Sequence, residues 1–123
     1  MKYLCLVYGE AKDLHALTPE RSAKLDADSL AYDKSLERQG KLIMAEALQS
    51  VTTAKSVRKR RGKRLITDGP FAETKEQLLG FYVIDCKNLD EALDVARDLG
   101  KANPGGAYEI RPVGVLNPGS VTT

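Results

Sequence analysis

Histidine and cysteine, two of the side chains that most often bind metals, are scarce in this sequence. It has one histidine, His15, and two cysteines, Cys5 and Cys86. No Cys/His cluster has the spacing of a metal site, so we expect neither a metal nor a cofactor. The two cysteines lie far apart in apolar stretches, which predicts reduced, buried thiols in a cytoplasmic protein.

Long apolar runs and a strong net charge are also missing. No run approaches the ~20 residues of a membrane-spanning helix, and the first residues show no signal-peptide pattern. We therefore expect no membrane partner. The net charge of +2 is too small to indicate nucleic-acid binding by itself.

One basic run, Arg58 to Arg64, stands out against this low net charge. Such a run can contact phosphates, but no aromatic residue is interleaved with it. Basic residues also protect the edge of a hairpin from pairing with other chains. We favour this protective role, so we do not expect nucleic acid as a partner.

The 123 residues are enough for one domain with its own core. We place this domain at residues 1–115 and a C-terminal tail at 116–123. Thr18 should begin the first helix and Gly40 should follow its end, while Gly100 should end the second helix. Apolar spacing predicts helices at 18–38 and 88–100, and strands at 2–8, 41–48, 55–60, 63–68, 78–85 and 108–113.

The order of these elements predicts an α+β, ferredoxin-like fold with an inserted β-hairpin, because a hairpin separates two β-α-β units. In such a fold, two helices cover one face of the sheet. The strands at 3–8 and 79–84 are apolar on both faces, however, and a large open apolar face would not stay in water. We therefore predict a homodimer whose sheets pack face to face and leave a cleft near the rim.

The stretch from Asp68 to Gln77 joins a polar turn to the fifth strand with almost no spacer. Asp68-Gly69-Pro70 is a turn signal, and the Asp68 carboxylate is expected to cap its own turn. Phe71 follows at once. We predict that its ring is buried against the core, where such a side chain contributes most to stability.

The Asp68–Gln77 motif, together with residues 80–82, strongly resembles the DGPF-domain branch of the YCII-related family. Residues 1–4 and 109–113 fit the same family, so the resemblance covers essentially the whole chain. It implies a dimeric α+β barrel. It implies little about activity, although some relatives lie beside, or are fused to, extracytoplasmic-function sigma factors.

The narrower YCII proteins have a proposed catalytic pair, a histidine early in the first helix and an aspartate before the last strand. This chain resembles them less closely at these two positions. Here Thr18 to Ser22 contains no histidine, and Asn103 stands where the acid is expected. His15, just upstream of the helix, is one catalytic candidate because its pKa suits proton transfer; Asp68 is the other. Whether the chain is an enzyme is left open by these residues.

Residues with polar tips on the predicted strands and loops are candidates for binding a ligand at the cleft. They are Tyr8, Glu46, Asp68, Glu73, Lys75, Tyr82 and Arg111. Paired carboxylates can act as acid and base. The alternatives are structural: solvated or bridging charges in the loop, tyrosines whose rings lie in the core, and a Glu46 that pairs with an arginine.

These patterns favour a small-molecule-binding protein or a cleft enzyme at a dimer interface. The alternative is a regulatory or interaction domain associated with sigma-factor-dependent transcription. The sequence contains no helix-turn-helix or heptad pattern that would favour this alternative.

Overall fold

The computed structural model describes residues 1–10, 12, 13, 16–102 and 106–114. The candidate His15, the residue Asn103 and the predicted tail at 116–123 lie outside these residues. In chain order, the regular elements are β1 (Lys2–Gly9), α1 (Pro19–Arg38), β2 (Leu42–Ala47), a 3₁₀ turn (Val51–Thr53), β3 (Lys55–Arg60), β4 (Lys63–Asp68), β5 (Gln77–Asp85), α2 (Leu89–Ala102) and β6 (Ala107–Pro112).

Four strands form one antiparallel sheet in the order β2-β5-β1-β6. The two β-α-β units are interleaved, because β5 lies between β1 and β2 while β1 lies between β5 and β6. This is the ferredoxin-like order, so the predicted α+β fold is confirmed. The inserted hairpin is confirmed as well, since β3 and β4 pair only with each other in a separate two-stranded sheet among the described residues.

The hairpin turn is built by Arg61 and Gly62, which both have positive φ, 52° and 76°. Positive φ at both central residues is the type I′ geometry, whose twist matches that of the flanking strands. Along β3 and β4 nearly every residue is exposed; Ser56, at 8% exposure, is the buried exception. The hairpin therefore extends from the main sheet rather than packing on it.

The core lies between the main sheet and the two helices. Its largest fully buried side chains are Tyr3, Cys5, Leu36, Ile84 and Leu99. Both cysteines are buried free thiols, as predicted, and burial raises the pKa of the Cys5 thiol to about 11. A protonated, buried thiol is a packing group rather than a reactive one.

The helix ends follow the predicted signals with one exception. Thr18 Oγ1 accepts from the Arg21 N–H at 3.2 Å, which satisfies one of the free donors at the start of α1. Gly40, at φ 71°, follows the end of α1, and the backbone bond from Lys41 N to the Leu36 oxygen completes a Schellman motif. The prediction that Gly100 ends α2 is wrong, because the helix continues to Ala102.

The face of the sheet that carries no helix, here called the helix-free face, is apolar at its centre. Strand alternation brings five side chains to it: Leu4, Leu6, Met44, Phe81 and Val83. All five are half-buried. In the single chain, this apolar face is therefore only partly shielded from water.

Candidate functional site

A cavity of about 460 Å³ lies between the middle of α1 and one end of the main sheet. Leu36, at 2% exposure, holds the C-terminal part of α1 against the sheet. Toward the N-terminus, the residues that line the cavity from α1 are Asp26, Ser29 and Asp33. None of them is large and apolar, so the space between helix and sheet stays open.

Asp33 and Tyr82 meet at the floor of the cavity. Tyr82 Oη donates a hydrogen bond to Asp33 Oδ1 at 2.8 Å, and the Tyr82 side chain is 9% exposed. Burial raises the pKa of Asp33 above its ordinary value; the hydrogen bond from Tyr82 opposes this rise, and the nearby Glu37 carboxylate adds to it. Burial, followed by the bond to Asp33, raises the pKa of the Tyr82 phenol.

The remaining lining is apolar on the sheet side and acidic around it. Val7, Ala45 and Leu79 contribute apolar surface. The carboxylates that line the cavity are Glu10, Asp13, Asp26, Asp33 and Glu46. No lysine or arginine of the described residues lines it, although Lys12 pairs with Glu10 at 3.2 Å. We call this site the acidic cavity.

Three of the predicted ligand-binding residues, Tyr8, Glu46 and Tyr82, line the acidic cavity. Tyr82 lies on the helix side of the sheet. Glu46 is in register with Phe81, so strand alternation points it toward the helix-free face and places it at the border of the cavity. Among the described residues Glu46 forms no ion pair, so its predicted alternative, a bond to an arginine, stays a prediction.

Asp68 lies away from the cavity, at the base of the hairpin. Its carboxylate pairs with Lys55 Nζ across β3 and β4 instead of capping its own turn. The turn is closed by backbone and hydroxyl groups: Gly69 N–H donates to the Ala54 oxygen and Ser56 Oγ donates to the Gly69 oxygen, both at 2.7 Å. Any role of Asp68 in catalysis or ligand binding stays a prediction.

The prediction that Phe71 is buried is wrong for the single chain, because its side chain is 75% exposed. The Arg58 guanidinium donates to the Phe71 carbonyl oxygen, and this bond holds the loop against the hairpin. Since the hairpin itself extends from the sheet, the ring does not reach the core. The motif at 68–77 therefore does not anchor the core through Phe71.

The other predicted ligand-binding residues also lie outside the cavity lining. Glu73 and Lys75 are exposed in the loop before β5. Arg111 is exposed on the helix-free face, opposite Leu4, and its guanidinium lies 3.9 Å from Glu109. The structure thus brings together the strand candidates Tyr8, Glu46 and Tyr82, and it does not bring the loop candidates to them.

Sequence reasoning missed the contribution of α1. Asp26, Ser29 and Asp33 continue the line of the buried Leu36 along the helix at spacings of three and four residues. Polar residues of a helix ordinarily lie on the face away from the core, so a polar stripe in line with a buried residue departs from the usual pattern. That signal was present in the sequence, but only the position of the sheet distinguishes it from a solvent-facing stripe.

The pKa of Asp33 leads to a testable dependence of stability on pH. The pKa of Asp33 is higher in the folded state than in the unfolded chain, so the protonated carboxyl stabilises the folded state. This stabilisation is fully present below the unfolded pKa of about 3.8, and it is lost as the pH rises through the folded pKa. We expect Asp33→Asn to gain stability relative to the parent between about pH 3.5 and pH 7. Denaturant titrations at both pH values measure this.

Ser29→Ala is the matched control, because Ser29 lines the same cavity and does not titrate. Its stability relative to the parent should be the same at both pH values. A constant difference for Asp33→Asn as well would show that the Asp33 carboxylate is not destabilised by its surroundings.

The described residues hold no group of three or more His, Cys, Asp or Glu side chains placed to bind a metal ion. Within the same part of the chain, no helix combines the length and the apolar character that crossing a membrane requires.

Comparison with known proteins identifies the family. The model of the YCII-related domain matches residues 1–117. An uncharacterized protein of Rhizobium meliloti (strain 1021) is 44% identical over 122 residues, which cover 98% of each chain. Neither match names a ligand or a partner, so the predicted DGPF branch and the regulatory alternative stay predictions. The chain belongs to the YCII-related family.

Proposed function

We propose that this protein binds a small organic molecule in the acidic cavity. The observation that carries the proposal is a space of about 460 Å³ with a hydrogen-bonded Tyr82–Asp33 pair on its floor. Ligand sites are typically concave and mostly apolar, with a few polar groups that fix the orientation of the ligand. The apolar sheet residues and the Tyr82–Asp33 pair supply these two components.

An acid–base role for the same pair would make the protein an enzyme. A carboxyl with a raised pKa, inside a cavity, is a candidate for taking a proton from a bound molecule. Asp33 meets this description, and its bond to Tyr82 fixes the position of one carboxylate oxygen. The other oxygen is then the one that can face a ligand.

We also propose a homodimer formed through the helix-free face. Its support is the row of half-buried apolar side chains around Val83, which no helix covers. A second copy offers the same surface and can cover it by two-fold symmetry. The acidic cavity lies mainly on the helix side, and it meets the helix-free face at Glu46 and Phe81.

A cavity-filling variant tests the binding proposal. Ser29→Phe places a ring in the acidic cavity, whereas Ala31→Phe adds the same ring at an exposed position of the same helix. We expect at least one compound of a metabolite panel to raise the melting temperature of the parent and of Ala31→Phe, because ligand binding stabilises the folded state. The same compound should leave Ser29→Phe unchanged.

Two results would contradict the proposal. A shift of equal size in Ser29→Phe would mean that the compound binds elsewhere. The absence of any shift across a panel that includes amines, carboxylates, phosphates and aromatic neutrals would argue against a small-molecule role.

A further inference from the structure

The charged side chains that line the acidic cavity are all negative among the described residues. Five carboxylates line it and, among the described residues, no lysine or arginine does. Asp26, Asp33 and Glu46 have no cationic side chain within 4.0 Å in that part of the chain. Burial destabilises the charged form of the Asp33 carboxyl, and a cation bound beside it would relieve this.

The acidic groups also occupy positions where apolar side chains would stabilise the fold. Asp33 is half-buried one turn before Leu36, on the side of α1 that faces the sheet. An apolar residue there would extend the core and close the gap. A residue that breaks the local packing rule in this way is typical of a functional position.

The size and the walls of the cavity favour an organic cation over a metal ion. About 460 Å³ is far more than one ion occupies, and no metal-binding group is found among the described residues. The rings of Tyr82 and Tyr108 line the space beside the apolar residues Val7 and Ala45. Aromatic rings attract cations through their faces and accept the apolar part of a ligand at the same time.

We infer that the acidic cavity selects a small organic cation, a protonated amine carried on an apolar body, with the ammonium group at Asp33 and the body against the sheet. The inference rests on the proposed binding function and adds the class of ligand to it. The free oxygen of the Asp33 carboxylate accepts from the ammonium, while Oδ1 keeps its bond from Tyr82. Asp26, two turns earlier on the same side of α1, adds negative charge at the mouth.

Three probes of similar shape and different charge test this inference. They are 2-phenylethylamine, which is a cation at neutral pH, 2-phenylethanol, which is neutral, and phenylacetate, which is an anion. In calorimetric titrations of the full chain at low salt, we expect the amine to bind about tenfold more tightly than the alcohol, as a charged hydrogen bond would give. Phenylacetate should bind more weakly than both.

Asp33→Asn should remove the preference for the amine over the alcohol by lowering the affinity for the amine about tenfold. The control is Asp94→Asn, which removes a carboxylate from the exposed side of α2, where it pairs with Arg97 at 2.6 Å. This control should keep the full preference. Circular dichroism shows whether both variants are folded. A third variant, Asp26→Asn, changes an exposed position and should reduce the preference for the amine without affecting the core.

Equal affinity for the three probes, or a preference for phenylacetate, would overturn the inference and leave the binding function intact. A preference for phenylacetate would mean that basic groups, from outside the described residues or from a second copy, set the charge of the site, whereas equal affinity would mean that charge does not contribute to binding. If none of the three probes binds, the inference also fails. The metabolite panel with Ser29→Phe then decides separately whether the cavity binds any small molecule.

Discussion

Val83→Arg is expected to convert the proposed homodimer to a monomer. Val83 lies on β5 near the centre of the helix-free face, with Leu4 on one side and Met44 on the other. In a face-to-face dimer the new guanidinium would be buried among apolar side chains without a partner, which costs about 3–5 kcal/mol. Light scattering at low micromolar concentration measures the molar mass of the parent and the variant.

Leu30→Arg is the control for this prediction. Leu30 is 56% exposed on α1, away from the helix-free face, so this variant should keep the mass of the parent. Far-UV circular dichroism distinguishes dissociation from unfolding, because the helices pack on the opposite side of the sheet from Val83. A monomeric parent, or a Val83→Arg protein that stays dimeric, would rule out this interface.

Gly106→Ala should destabilise the protein by about 3 kcal/mol, which for a chain of this length lowers the melting temperature by roughly 10 °C. Gly106 precedes β6 and has φ 113°, a conformation that residues with a Cβ rarely adopt. An added Cβ would also overlap the backbone oxygen of Tyr8 at the end of β1. Since both are backbone constraints, a side-chain rotation cannot relieve them. Thermal and denaturant unfolding measure the loss.

Gly100→Ala provides the comparison within the same region. Gly100 lies inside α2, has ordinary helical geometry, and its added Cβ would come no closer than 3.6 Å, to the Tyr108 ring. We expect this variant to be more stable than the parent by about 0.5–1 kcal/mol, because alanine loses less conformational freedom in a helix. A Gly106→Ala protein as stable as the parent would show that β6 can shift away from β1.

The cavity and the dimer can be tested independently. The ligand experiments change residues on α1, and the assembly experiment changes the opposite side of the sheet. A monomeric variant that still binds 2-phenylethylamine would place the whole binding site within one chain. Loss of binding in that variant would mean that the second copy contributes to the site, as the predicted cleft between two sheets implies.

Local features of this protein were determined by the sequence itself. The cap at Thr18, the stop at Gly40 and the hairpin turn at Arg61-Gly62 depend on neighbours only a few residues away. These local structures can therefore be predicted from the order of the residues. The element order, together with the rules for connecting strands, was also sufficient to predict the ferredoxin-like sheet.

The surroundings of individual side chains were decided by the tertiary structure. Phe71 was expected in the core and is exposed, because the Arg58 bond holds its loop against a hairpin that extends from the sheet. Asp33 was missed, because a polar residue on a helix is ordinarily solvated. Asp33 is half-buried and hydrogen-bonded because the fold places Tyr82, which is 49 positions away in the sequence, beside it. Burial and pKa depend on which distant surfaces meet, and residue order alone does not specify that.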